Sequence, residues 1–109
     1  MATREQILQG FETTIERIRE QSRHFRKWDK KMQYHFPDLG EGWFIGIKEG
    51  EPDGPHEGVA DGAEIVYQMD SDTFVAVVDR SISPMGAWRE GKVKLTASPT
   101  DMMKLQKLS

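Results

Sequence analysis

Ile65-Val66-Tyr67-Gln68-Met69-Asp70-Ser71-Asp72-Thr73-Phe74-Val75-Ala76-Val77-Val78 changes its period halfway along. Up to Met69 the residues alternate: Ile65, Tyr67 and Met69 face one way, Val66 and Gln68 the other, as in a half-buried strand. From Phe74 to Val78 five apolar residues run together, and valine-rich runs of this length also suit a buried strand. Asp70 or Ser71 as N-cap, Asp72 in the first turn and Arg80 in the last favour a helix over that alternative. A strand that feeds a helix points to an α+β domain, and the remaining strands have to be found elsewhere in the chain.

Three more segments alternate with period two. Met32, Tyr34 and Phe36 oppose Lys31, Gln33 and His35; Trp43, Ile45 and Ile47 oppose Phe44, Gly46 and Lys48; Val93, Leu95 and Ala97 oppose Lys92, Lys94 and Thr96. Each has one greasy and one largely polar face, so the sheet has one covered and one wet side, as antiparallel or mixed pairing allows. Pro37–Gly42 reads as a turn. Gly50–Gly62, with four glycines, two prolines and a run of acids, reads as mostly loop, with a short edge strand near His56–Val59. Its charges would discourage edge-to-edge pairing.

Helices flank this sheet in sequence. Ile7, Leu8, Phe11, Ile15, Ile18, Ser22 and Phe25 recur at three- and four-residue spacing, one stripe of a helix. Thr3 with Gln6 forms a capping box at its start. At the far end Ser98 as N-cap, Pro99 at the first helical position and Asp101 in the first turn announce a helix through Leu108.

Length and composition bound the function. A chain of 109 residues is read as one domain, residues 1–109, with a radius of gyration of about 13 Å. No apolar run approaches the roughly 18 residues of a membrane span, and Met-Ala-Thr-Arg-Glu lacks the apolar core of a secretory signal. The end, Lys107-Leu108-Ser109, is not the Ser-Lys-Leu peroxisomal address. With no cysteine there is no disulfide, thiolate nucleophile or thiolate metal site, a pattern compatible with a cytoplasmic protein. The net charge of −3 is uneven: residues 1–35 carry eight Lys/Arg against five Asp/Glu, residues 36–80 two against eleven, residues 81–109 five against two. The acidic middle argues against nucleic acid as a partner.

Reactive constellations are scarce. His24, His35 and His56 do not fall at metal-ligand spacing, and His24 and His35 sit on polar faces, where a solvated role is expected. The acidic loop lacks the ligand order of a calcium-binding loop. Gly40, Gly42 and Gly46 are not on a strand-to-helix turn, so they make no phosphate cradle. No serine has a nucleophile-elbow context. No cofactor is implied. The basic cluster Arg23–Lys31, with Phe25 and Trp28 interleaved, is expected to be a helix end whose cations favour the helix dipole. Its alternative role is docking on anionic membrane through a basic N-terminal helix.

The apolar surplus after Asp70 remains. Residues 74–88 cover too much of a helix surface to face the sheet alone, and continue through Ile82, Met85 and Trp88. Their second partner is the terminal helix, another subunit or a ligand. Met85, Met102 and Met103 are flexible enough to line a site of varied shape, whereas Ile65, Tyr67, Val93 and Leu95 are expected to be ordinary core.

The order of these landmarks resembles the sterol carrier protein type two domain family. The resemblance runs from about Lys31 to Leu108. It rests on Trp43-Phe44-Ile45-Gly46-Ile47, the loop with Gly58, Ala63–Phe74, the Pro84-Met85-Gly86-Ala87 turn, and Gly91-Lys92-Val93-Lys94-Leu95 before a short terminal helix. It implies a five-stranded mixed, mostly antiparallel sheet with helices on one face, enclosing a hydrophobic tunnel, and non-catalytic binding or transfer of a fatty acid, fatty acyl-CoA, sterol or other lipid. Carried over by position, the tunnel is lined by Phe74, Val77, Val78, Ile82, Met85, Trp88, Met102 and Leu105. The alternatives are a homodimeric interaction module, or an accessory module of a lipid-metabolising enzyme. As an enzyme the chain has only Asp79, Arg80, Glu90 or His24 to offer. Empty pockets are costly: 300 Å³ left dry would cost roughly 7 kcal/mol, so the tunnel is expected to be filled or collapsed.

Overall fold

A computed structural model describes residues 1–108. The elements in chain order are α1 (Arg4–Glu20), α2 (Ser22–Phe25), β1 (Asp29–Phe36), β2 (Glu41–Lys48), β3 (Glu51–Glu57), β4 (Ile65–Gln68), α3 (Ser71–Val78), α4 (Pro84–Arg89), β5 (Lys94–Thr96) and α5 (Pro99–Leu105), which ends in a 3-10 turn at Gln106–Leu108. The five strands form one sheet in the order β3-β2-β1-β4-β5. Only β1 and β4 pair in parallel; the other three pairings are antiparallel. The architecture is therefore α+β with a mixed, mostly antiparallel sheet.

The period-two pattern explains the sheet. Trp43 pairs with Tyr34, Tyr34 with Tyr67 and Tyr67 with Leu95, so one row of large side chains crosses four strands. The next row is Ile45, Met32 and Ile65. Helix α1 covers these rows with Ile7, Phe11, Ile15 and Ile18, all buried. Phe11 is the centre: its ring lies 5.0 Å from Tyr34, 5.7 Å from Trp43 and 4.7 Å from Phe74. Each such ring buried contributes about 1.5–3 kcal/mol, and well-set ring pairs add about 0.5–1.5 kcal/mol. Gly10 admits the Phe74 ring, because a Cβ there would stand 2.6 Å from Phe74 Cε2. Thr3 and Gln6 form the reciprocal cap expected of them.

Several sequence expectations are corrected. The stripe through Ser22 and Phe25 is not one helix: the chain turns at Gln21, and Ser22–Phe25 is a separate turn of helix that sends Phe25 and Trp28 into the core. The acidic segment is a full strand, β3, over Glu51–Glu57, and not a loop with a strand at His56–Val59. Pro52, Gly54 and Pro55 hide it from propensity, yet an edge strand tolerates them because its outer side needs no ladder. Gln33, expected on the wet face, is 1% exposed. The segment after β3 crosses that face, and Gln33 ties it down: Nε2 donates to the carbonyls of Gly58 (3.0 Å) and Trp43 (3.1 Å), and Oε1 accepts from the Ala60 amide (2.6 Å). Pro84–Ala87, read as a turn, begins helix α4, with Ser83 accepting from Gly86 N and Pro84 at its start.

The 71–78 segment is a helix, as the capping pattern favoured, but Asp70 makes no side-chain cap. The turn between β1 and β2 supplies it. Asp38 accepts from the Ser71 amide (2.9 Å) and from its hydroxyl (2.6 Å), while Ser71 Oγ accepts from Ala2 N (2.9 Å). Arg80 lies beyond the helix, in the left-handed region at φ 65°.

Candidate functional site

Between α1 and α3 on one side and α4, β5 and α5 on the other, the helical layer stops short of the sheet. The gap over β4 and β5 is a cavity of about 220 Å³, partly open to solvent. A second, shallower depression between α1 and β3 has a larger nominal volume of about 550 Å³. Its walls are Glu12, Ile15, Glu16, Arg19, Glu20 and Gly54, so four of its six residues are charged, and it lies open to water. The first cavity is the one with the chemistry of a site.

Of the eight residues carried over from the resemblance, Phe74, Val77, Val78, Met85, Trp88, Met102 and Leu105 line this cavity. Ile82 does not; it is half-buried and packs against the core beside it. Helix α3 explains the division. Phe74 turns inward to Phe11, Tyr34 and Phe36, while Val77 and Val78, one turn on, remain half-buried and face the gap. Met85 and Trp88 line the cavity and are also 41% and 50% exposed, which places them at its mouth.

Residues the sequence assigned to plain core also form the walls. Tyr67, Val93 and Leu95 line the floor together with Tyr34 and Met69. Tyr34 and Tyr67 lie stacked, ring centroids 4.7 Å apart. Burial pushes both phenols above their ordinary pKa, Tyr34 further through its neighbour Tyr67. They therefore stay protonated and are able to donate. Sequence reasoning also missed Thr14 and Arg17, and offered Arg80 only as a helix-end cation or an enzyme candidate. The first two were findable: Gly10, Thr14 and Arg17 follow one another at four- and three-residue spacing, a stripe beside the apolar one. Thr14 already donates to the Gly10 carbonyl (2.9 Å). Arg17 and Arg80 form no ion pair among the described residues.

The chemistry available is limited. Among the described residues the lining holds no carboxylate, imidazole or thiol. Asp79, beside it, accepts from the amide and hydroxyl of Ser81, which hold its carboxyl below the usual range and leave it a weak base. His56 pairs with Asp53 at 2.9 Å on the far edge of the sheet. Among the described residues no group of His, Asp or Glu is placed to hold a metal ion, and no helix is long and apolar enough to cross a membrane.

No family model and no curated protein matches the sequence. Solved structures do match. Sterol carrier protein 2 from Aedes aegypti, determined with the C16 fatty acid palmitate, is similar over 96% of this chain and 93% of its own, at 16% identity and a TM-score of 0.70. A conserved hypothetical protein from Thermus thermophilus matches 99% of this chain and 84% of its own, at 16% identity and a TM-score of 0.61. The stereoselective inverting sec-alkylsulfatase Pisa1 from Pseudomonas sp. matches 80% of this chain at 17% identity and a TM-score of 0.63, and there the chain spans only 13% of the enzyme. At these identities the likeness is one of fold. The fold is that of sterol carrier protein 2, as the order of sequence landmarks indicated.

Proposed function

We propose that this protein binds, and passes on, a lipid with a single acyl-type chain, without chemical change to it. One observation carries the reading: a small domain that packs its core densely under α1 leaves an apolar cavity over β4 and β5, bounded by Val77, Val78, Met85, Leu95, Met102 and Leu105. Left dry and closed, a cavity of about 220 Å³ would cost about 5 kcal/mol, comparable to the net stability of a small domain. Such a space is better explained as a place for a ligand than as a defect. It lies below the roughly 300–1,000 Å³ of ligand pockets, so α4 and α5 would move outward to admit a long chain. Arg17 and Arg80 would meet an anionic head group, and the protonated phenols of Tyr34 and Tyr67 would donate to an oxygen lying deeper. The lack of a carboxylate, imidazole or thiol among the described lining residues favours carriage over catalysis. The Aedes aegypti protein with palmitate supports the same ligand class.

The test is organic extraction of the purified protein followed by mass spectrometry, with thermal shifts on adding fatty acids of increasing length. Co-purified lipid, or a melting temperature that rises with chain length, is expected. The lack of both overturns the reading. The sulfatase match favours a second reading, an accessory module of a larger lipid-processing enzyme; there the same cavity would hold the tail of that enzyme's substrate.

A further inference from the structure

We propose that the cavity mouth, and not the N-terminal helix, is the surface by which the protein docks on membranes bearing anionic lipid. The proposal rests on the lipid-carrying reading above and adds the route by which the ligand enters. Five large apolar side chains are exposed: Met1, Val59, Met85, Trp88 and Met103. Met1 and Val59 stand alone, at the terminus and in the loop after β3. The other three belong to α4 and α5, and Met85 and Trp88 form the mouth itself. A half-exposed tryptophan beside methionine suits the boundary between head groups and acyl chains, where an amphipathic ring keeps its N–H wet.

Charge points the same way. Residues 80–108 carry six Lys/Arg against two Asp/Glu. Of these, Lys94 lies on β5 and Lys92 just before it, while Lys104 reaches over the Trp28 ring (5.8 Å); Glu51, Asp53 and Glu57 lie on β3 at the opposite edge of the sheet. The molecule is therefore electrically lopsided, and an anionic surface would turn its β5 edge inward. The N-terminal alternative has comparable charge, five Lys/Arg against one Asp over residues 23–31, but lacks an exposed apolar anchor. Helix α1 itself carries three Lys/Arg against four Asp/Glu, and Phe25 and Trp28 after it are 0% and 4% exposed.

Trp28 and Trp43 are buried, so Trp88 alone reports contact with a bilayer. The intact protein is mixed with vesicles of phosphatidylcholine, with and without phosphatidylglycerol. Trp88 emission should shift to the blue and the protein should co-sediment with the anionic vesicles only, less so as salt rises. Arg89 and Lys92 do not line the cavity. Arg89→Gln with Lys92→Gln should lower vesicle binding about 30-fold and leave affinity for cis-parinaric acid in solution unchanged. Arg23→Gln with Lys27→Gln should change vesicle binding less than about threefold. Equal binding to neutral vesicles overturns the proposal, as does loss confined to the Arg23/Lys27 variant. So does a blue shift that tracks protein concentration without vesicles, which would mark a second copy as the occupant. Docking by a protein that carries no extractable lipid and shows no thermal shift with fatty acids would leave the docking surface standing and remove the carrier reading. A lipid-loaded protein that ignores vesicles does the reverse.

Discussion

The two ends of one sheet are packed by opposite rules. Under α1 the rows from β1 and β2 are filled by aromatic rings, with Phe11 in contact with Tyr34, Trp43 and Phe74 and none of these more than 5% exposed. Over β4 and β5 the covering side chains are mostly valine, leucine and methionine on short helices, with Phe74 at the inner end and Trp88 at the mouth, and they stand apart around about 220 Å³ of space. Large rigid rings close a core at native density. Short helices with small or flexible side chains leave room and can shift. One end therefore provides stability and the other a cavity, in a domain too small to separate them.

The contrast can be broken most severely at Phe11. Phe11→Ala should cost about 4 kcal/mol and lower the melting temperature by roughly 20 °C, measured by calorimetry. A drop of only a few degrees would mean that the α1 end is as loosely packed as the other. Val78→Asp attacks the cavity end instead. Lipid binding should fall by about 100-fold or more in a titration with cis-parinaric acid, the cost of an unpaired charge against an acyl chain. The protein should stay folded, because a half-buried wall position can turn its charge toward water. A folded Val78→Asp that bound normally would move the site elsewhere.

Filling the cavity should reverse the usual sign of a core mutation. Leu95→Phe is expected to raise the stability of the lipid-free protein by about 0.5–2 kcal/mol and to weaken long-chain ligands more than short ones. Destabilisation, as at a packed position, would show that the space is not there to be filled. The smallest effect is expected at Asp38, whose carboxylate caps α3 and so fixes the helix shared by both ends. Burial opposes its ionisation, but the bonds from Ser71 prevail and hold it below the usual aspartate value of 3.8. A carboxyl lowered on folding stabilises above its unfolded value and loses that stabilisation as pH falls through the folded one. Asp38→Ala should therefore cost about 1 kcal/mol at neutral pH, with the difference from wild type shrinking in denaturant melts below pH 3.8.

Much of this was legible in the chain because it is local. Period-two alternation placed β1, β2 and β4, the Thr3–Gln6 pair set the start of α1, and Ser98-Pro99 set α5, since strand faces and helix ends depend on neighbours within about four residues. Seven cavity residues came by position from the family resemblance, and the surplus of apolar side chains that no single face can absorb, Val77, Val78, Met85 and Met102 among them, pointed only to some second partner. What the local pattern could not supply is what crosses to it. Gln33 reads as solvated until the Gly58–Ala60 segment folds over it. Asp70 reads as a cap until Asp38, from a distant turn, takes its place. Tyr67 and Leu95 read as core because nothing in their strands says that the helices above leave a gap. By itself the sequence determined which faces are apolar and where helices begin, since those follow from residue spacing and side-chain chemistry. Only the tertiary structure decided which apolar faces meet and which stand apart, because a cavity is a property of two surfaces and belongs to neither sequence segment alone.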